Sequence, residues 1–495
     1  MNDLHDLEVM LRSGTPILLI ESLEEQRILQ LFTRLGLRLG EPVFCWTLTD
    51  GLRRAEMGGA PQRHLADPPE VLRHIKSTSQ PGIYLLLDFH PFLADPLLVR
   101  LLKEIAQDLA ELPRRLVLVS HALETPPEVK HLSARFDLRL PDRNRLLALI
   151  REEAQLWQHG EPGRSFRANR DAVDRLSRNL LGVTESDARR LIRNAIRNDG
   201  AITDSDMAEV TRAKYDLLSP DGAVSFEYDT VSFADVAGLE NLKAWIDMRR
   251  AAVLGDADER SPGLDRPKGV MLLGVQGGGK SLAAKAVAGR LGVPLLRLDF
   301  GALYDKYIGE SERNLRQALR TADVMAPCVL WLDEVEKGLA MGGGGGDGGT
   351  SRRLLGSLLT WMAERDSSAF LVATSNDISE LPPELVRKGR LDEIFFVDLP
   401  DVDVRRDIFR IHLDRRRLDP ARFDLDRLAD ASEGFTGAGI EQAVVSALYS
   451  ARAAATGPTT ASVLAELEGT QPLSVVMDAQ IARLRQWAQG RTVPA

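Results

Sequence analysis

Gly274-Val275-Gln276-Gly277-Gly278-Gly279-Lys280-Ser281 is the stretch whose reading decides the fold. It fits G-x-x-x-x-G-K-[ST], follows an apolar run from Val270 to Leu273, and opens an amphipathic stretch from Lys280 to Leu291. A glycine-rich turn between a strand and a helix brings backbone N–H groups to the positive end of that helix, where phosphates bind. Gly274 permits the turn out of the strand, and Gly277, Gly278 and Gly279 allow close approach to phosphate oxygens. Lys280 is placed to reach the β and γ phosphates, and Ser281 to offer its hydroxyl to Mg2+.

Downstream, Val329-Leu330-Trp331-Leu332-Asp333-Glu334 is an apolar run closed by two carboxylates. Alone, such a pair is often a solvated turn. After a phosphate cradle and a helical crossover it reads as a metal and water site, with Asp333 holding Mg2+ and Glu334 polarising the attacking water. Asn376 closes the next apolar strand, in Ala373-Thr374-Ser375-Asn376, where its amide can orient that water. These residues imply an enzyme that hydrolyses ATP to ADP and phosphate, with ATP and Mg2+ as ligands.

Around them, short apolar runs alternate with amphipathic ones: strands at 270–273, 293–298, 329–332 and 370–374, helices at 280–291, 311–325 and 352–364. Buried strands separated by helices predict an α/β fold with a parallel sheet covered on both faces. A helical lid is expected from 401 to 457, and beyond it a tail, 458–495, with one helix near Met477 to Trp487. The first half repeats the rhythm, with strands at 17–20, 43–47, 83–87 and 116–120, and a helical stretch from Arg143 to about Asn198. There the cradle position carries Glu21-Ser22-Leu23-Glu24-Glu25-Gln26, and the carboxylate position Asp88-Phe89-His90. An acidic loop without glycine or lysine offers phosphates nothing, so the first half should not hydrolyse nucleotide. Expected boundaries are a first α/β domain at 1–141, its helical lid at 142–218, a linker at 219–232 around Ser219-Pro220-Asp221-Gly222, and a second α/β domain at 233–400.

Composition narrows the setting. The 495 residues carry a net charge of -9, which argues against a dedicated nucleic-acid binder. Both cysteines, Cys45 and Cys328, lie in apolar runs, so no disulfide framework is expected. No apolar run reaches the roughly 18 residues of a membrane span, and a cytoplasmic setting, bacterial cytosol or plastid stroma, is expected.

Phe233-Ala234-Asp235-Val236-Ala237-Gly238-Leu239, the cradle, Tyr307-Ile308-Gly309-Glu310-Ser311-Glu312, the Asp333-Glu334 strand, Asn376 and Leu385-Val386-Arg387-Lys388-Gly389-Arg390-Leu391-Asp392 together resemble the classical AAA clade of AAA+ ATPases, over residues 231–451. The resemblance implies two tandem P-loop, AAA+-like modules, each with a helical lid, the first degenerate and the second active. It implies that Arg387 and Arg390 are arginine fingers reaching the nucleotide of a neighbouring subunit, hence a homo-oligomer, most simply a hexameric ring. Asp235, Val236, Ala237, Gly238 and His412 match positions that line the adenine, Gly437-Ala438 match a small-residue second sensor, and Gln276 and Leu282 complete the nucleotide contacts. Tyr307 and Ile308 match the first pore loop, which grips a translocating polypeptide; read from the residues alone, they are an exposed apolar step of the kind that more often marks a contact than a core, with a staple packing ahead of Ser311 as the alternative. The run Gly342 to Gly346, with Asp347, Gly348 and Gly349, is either a central-pore loop or a disordered insertion.

The whole chain resembles the AAA ATPase family first named as a hypothetical chloroplast reading frame and found in plastids, cyanobacteria and other bacteria. Gln276, the degenerate first module and the endings Arg485-Gln486-Trp487-Ala488 and Arg491-Thr492-Val493-Pro494-Ala495 carry that likeness. Gly278 departs from the usual cradle, where a threonine is common, and should loosen the loop. The expected function is an ATP-driven machine acting on a protein partner through pore loops. An ATP-controlled assembly switch or scaffold is the alternative, and a nucleic-acid motor or loader the third. Only Arg139, Arg143, Arg145, Arg164 and Arg167 support the third, and they read better as the solvated face of a helical lid.

Overall fold

The computed structural model describes residues 3–56, 60–160, 166–197, 200–203, 206–218, 224–227, 232–254, 265–303, 310–339, 348–379, 381–387 and 389–495. They form two compact units, one of residues 1–166 with 180–200, the other of 167–179 with 201–495.

In the first unit, strands β1 (Ile17–Glu21), β2 (Val43–Thr47), β3 (Gly51–Arg54), β4 (Gly82–Leu87), β5 (Arg114–Ser120) and β6 (Ser133–Arg135) form one sheet in the order β3-β2-β4-β5-β1-β6. All pairings are parallel except β2 with β3. Alternate residues along a strand point to opposite faces. Accordingly Ile17, Leu19, Tyr84, Leu86, Leu116 and Leu118 join one buried cluster, and Leu18, Ile20, Ile83, Leu85, Val117 and Val119 the other. Helices Glu25–Leu39, Pro68–Ser77 and Pro96–Gln107 supply the covering layers.

In the second unit a short parallel pair, β7 (Arg167–Ala168) and β8 (Ala201–Ile202), stands apart from the main sheet. That sheet comprises β9 (Val224–Glu227), β10 (Gly269–Gly274), β11 (Leu295–Leu298), β12 (Cys328–Leu332), β13 (Ala369–Ser375), β14 (Glu393–Val397) and β15 (Val493–Pro494), in the order β15-β14-β10-β13-β12-β11-β9. Val270, Leu272, Val329, Trp331, Phe370 and Val372 face one layer, with helices Glu240–Leu254 and Lys280–Leu291. Met271, Leu330, Leu332, Leu371 and Ala373 face the other, with Glu310–Met325 and Gly348–Glu364. Each fully buried Val, Leu or Phe contributes about 1.5–3 kcal/mol, which is why these strands read as continuous apolar runs.

Several expectations need correction. The sheets are mixed rather than purely parallel, because each ends in an antiparallel strand, β3 on β2 and β9 on β11. Residues 224–227 of the expected linker form β9, whose Ser225 and Phe226 register with Arg297 and Leu296. The stretch 458–495 holds three helices, not one: Thr460–Glu468, Leu473–Val476 and Asp478–Ala488. The first starts at a capping box between Thr459 and Ser462, and its Val463, Leu464 and Leu467 pack with Phe409, Leu428, Ile440 and Val444 of the preceding helices. The turn at Ser219 to Gly222, Tyr307, Ile308 and the run Gly342 to Asp347 lie outside the described residues. Among the described residues, no helix is long and apolar enough to cross a membrane.

Candidate nucleotide site

The carboxyl ends of β10, β12 and β13 open into a cavity of about 570 Å³ in the second unit, closed over by the helices that follow β14. Parallel α/β sheets bind ligands at this edge. The cavity is built first by glycine. A Cβ on Gly274 would lie 2.0 Å from the carbonyl oxygen of Val397, so only glycine lets β10 end this close to β14. Gly279 is the N-cap of Lys280–Leu291 with φ 93, a left-handed conformation that costs glycine little. A Cβ on Gly278 would meet the Val275 carbonyl at 3.0 Å and Val397 Cγ1 at 3.3 Å. A side chain here therefore requires the turn to shift, and glycine fits the turn as built.

Lys280 is buried and donates from Nζ to the carbonyls of Gly274 at 2.9 Å and Val275 at 2.8 Å. Burial lowers its pKa to about 8, against the opposing pull of Glu336, Asp333 and Glu334. Asp333 Oδ1 accepts the Thr374 hydroxyl at 2.8 Å, and Oδ2 accepts Arg297 at 3.0 Å. Glu334 adopts φ 48, a strained conformation for a residue with a Cβ. Its N–H donates to Thr374 Oγ1 at 3.2 Å, its Oε1 accepts Asn376 Nδ2 at 3.2 Å, and its Oε2 pairs with Lys337 at 2.7 Å. Thr374 thus ties the Asp333 carboxylate and the Glu334 backbone to β13, and Asn376 fixes the Glu334 carboxylate.

The lid contributes a second helix N-terminus. Thr436 caps the helix Gly437–Ala453 through its hydroxyl, and the Ala438 N–H donates to the Gly277 carbonyl at 3.4 Å. Two positive helix ends therefore converge on the cradle. His412 stands 3.5 Å from the Glu441 carboxylate, and burial lowers its pKa, favouring the neutral imidazole.

Of the expected site residues, Asp235, Val236, Ala237, Gly238, Gln276, Gly277, Gly278, Gly279, Lys280, Ser281, Leu282, Asp333, Glu334, Asn376, His412, Gly437 and Ala438 all line this cavity. Arg387 and Arg390 do not; they lie between β13 and β14, and Arg390 donates to the Glu384 carbonyl at 2.6 Å. The donors suit magnesium nucleotide: N–H groups and an ammonium for phosphate, and hydroxyl and carboxylate oxygens for a hard cation.

The sequence reading missed Thr374 as the anchor, Arg297 on β11, and Glu336. Glu336 is 3% exposed and accepts the Asn376 N–H at 3.0 Å. It also missed the last residues: Pro494 and Ala495 line the cavity, β15 pairs with β14, and Arg485 forks onto Asp398 at 2.9–3.0 Å. Of the arginines that favoured nucleic acid, Arg145 is engaged by Glu185 and Glu152 and Arg139 by Asp6, and Arg164 lies outside the described residues.

The model for the ATPase family associated with various cellular activities (AAA) matches residues 270–399. Models for the N-terminal and second domains of SpoVK-like AAA ATPases match 3–138 and 144–221. The AAA domain-containing protein ycf46 of Trieres chinensis is 31% identical over 98% of this chain and 96% of its own length. That of Guillardia theta is 32% identical over 99% and 95%. A proteasome-activating nucleotidase of Aeropyrum pernix is 35% identical over 52% of this chain and 63% of its own length.

Proposed function

The chain belongs to the ycf46 family of AAA domain-containing proteins, and on that premise we propose that its second module hydrolyses ATP while its first is a degenerate counterpart. One observation carries the reading: Lys280, Asp333, Glu334 and Asn376 meet at the edge of one cavity, with Thr374 holding the Asp333 carboxylate and the Glu334 backbone, and Asn376 the Glu334 carboxylate.

ATP with Mg2+ supplies the phosphoryl group and the charge-neutralising ion. Gly277 to Gly279 and Lys280 hold the phosphates, and Ser281 and Asp333 hold the metal. Glu334 accepts a proton from the attacking water, and Asn376 keeps its carboxylate aimed. Arg387 and Arg390, off their own cavity, complete the site of a neighbouring copy, which makes the working form a ring. The resemblance of Tyr307 and Ile308 to a pore loop, and the likeness to a proteasome-activating nucleotidase, favour a protein as the thing acted on.

Glu334→Gln tests the assignment. Turnover should fall by about 10²–10⁴, the usual contribution of a positioned base, with ATP still bound. Undiminished turnover would refute it.

A further inference from the structure

At the carboxyl edge of the first sheet, the loops after β4 and β5 bring together Asp88, His90 and His121, with one ligand atom of each within 4.8 Å of the others. Asp88 follows β4 directly and takes φ 52. Ser120, the last residue of β5, holds two of the three: its Oγ lies 2.6 Å from His90 Nδ1 and donates to Asp88 Oδ1 at 3.3 Å. With the hydroxyl proton given to Asp88, Ser120 accepts from His90 Nδ1–H, leaving the lone pair on Nε2. The rings of His90 and His121 meet edge to face, centroids 4.6 Å apart.

We propose that Asp88, His90 and His121 bind a divalent cation of the borderline class, Zn2+, Co2+, Ni2+ or Fe2+, at this edge of the first sheet. Two imidazoles with one carboxylate suit such ions and leave coordination positions open, whereas Mg2+ and Ca2+ take oxygen ligands. Asp88 and His121 are exposed and His90 half-buried, so the ion has an entry path. Ser120 orients His90 as the partner behind the ligand. The site stands on first-unit residues alone and does not depend on the ATPase reading.

The test titrates the full chain, stripped with chelator and held in excess Mg2+, with Co2+ followed by visible absorption and with Zn2+ followed by calorimetry. A single saturable equivalent is expected. Asp88→Asn and His121→Ala should each weaken binding by about tenfold or more, and Ser120→Ala by about 10–100-fold. Asn tolerates the left-handed backbone at position 88, so that variant keeps the loop while losing the charge. Lys280→Ala should titrate as the unaltered protein does, which separates this site from the nucleotide cavity. No saturable binding, or binding unchanged in Asp88→Asn and His121→Ala, would overturn the proposal.

Discussion

In the second unit β10 runs into Gly274 and the next helix starts at a left-handed glycine, Gly279, whose N-terminus is open to a ligand. In the first unit β1 runs into Glu21 and the next helix starts at Glu24, whose buried carboxylate is tied to Arg27 at 2.9 Å and to the Ser186 N–H at 3.2 Å. The strands around these two turns are nonetheless arranged alike. Reading the first sheet inward from its edge gives β6-β1-β5-β4-β2, and the second, once its edge strand β15 is set aside, gives β14-β10-β13-β12-β11, followed in both by an antiparallel strand. Continuous apolar runs bury both faces of each sheet, and the two sheets share their strand order although the turns at their carboxyl edges differ. Chemistry follows from the loops, and these two sets hold different charges.

The comparison breaks most sharply if the second module fails to need a neighbour. Arg387→Ala should lower ATPase by about 10³–10⁵, the range for an arginine acting in trans. Mixing it with Glu334→Gln should restore part of the activity, since each variant supplies what the other lacks. Loss without rescue on mixing would place Arg387 within its own subunit's folding.

A smaller effect tests the anchor shared by Asp333 and Glu334. Thr374→Val removes the hydroxyl that Asp333 and Glu334 both use. Stability should drop by about 1–3 kcal/mol, the cost of unsatisfied buried partners, and turnover should fall with it. Unchanged melting and turnover would show that β13 plays no part in holding the site.

Smallest is a pH effect on Lys280, whose pKa stands at about 8. Above that pH the free protein carries a neutral amine, and phosphate binding returns the proton. Nucleotide binding should therefore take up a proton above pH ~8 and weaken as pH rises, with little uptake near neutrality. Calorimetry in buffers of different ionisation enthalpy reads this directly, and equal proton uptake on both sides of pH 8 would contradict it.

Where order along the chain carries the information, the sequence reading succeeds. Lys280–Leu291 and Val43–Thr47 are helix and strand with the expected limits, because periodicity and flanking glycine or proline mark both ends. Where pairing is distant, it fails. Ser225 finds Arg297 across 72 residues, Asp398 finds Arg485 across 87, and nothing local marks either partner. Thr374 shows a third case: it stood in plain view beside Asn376, yet its role depends on the register of β12 against β13. The role proposed for Arg387 and Arg390 rests on resemblance alone, since neither lines the cavity of its own chain.

Nucleotide stoichiometry tests the central contrast most directly. The Glu334→Gln variant of the whole 495-residue chain, saturated with ATP and Mg2+, should retain one nucleotide per chain, and Lys280→Ala none. Two nucleotides per chain, or one remaining in Lys280→Ala, would mean that the first sheet also binds ATP and that its acidic turn has not ended its use as a nucleotide site.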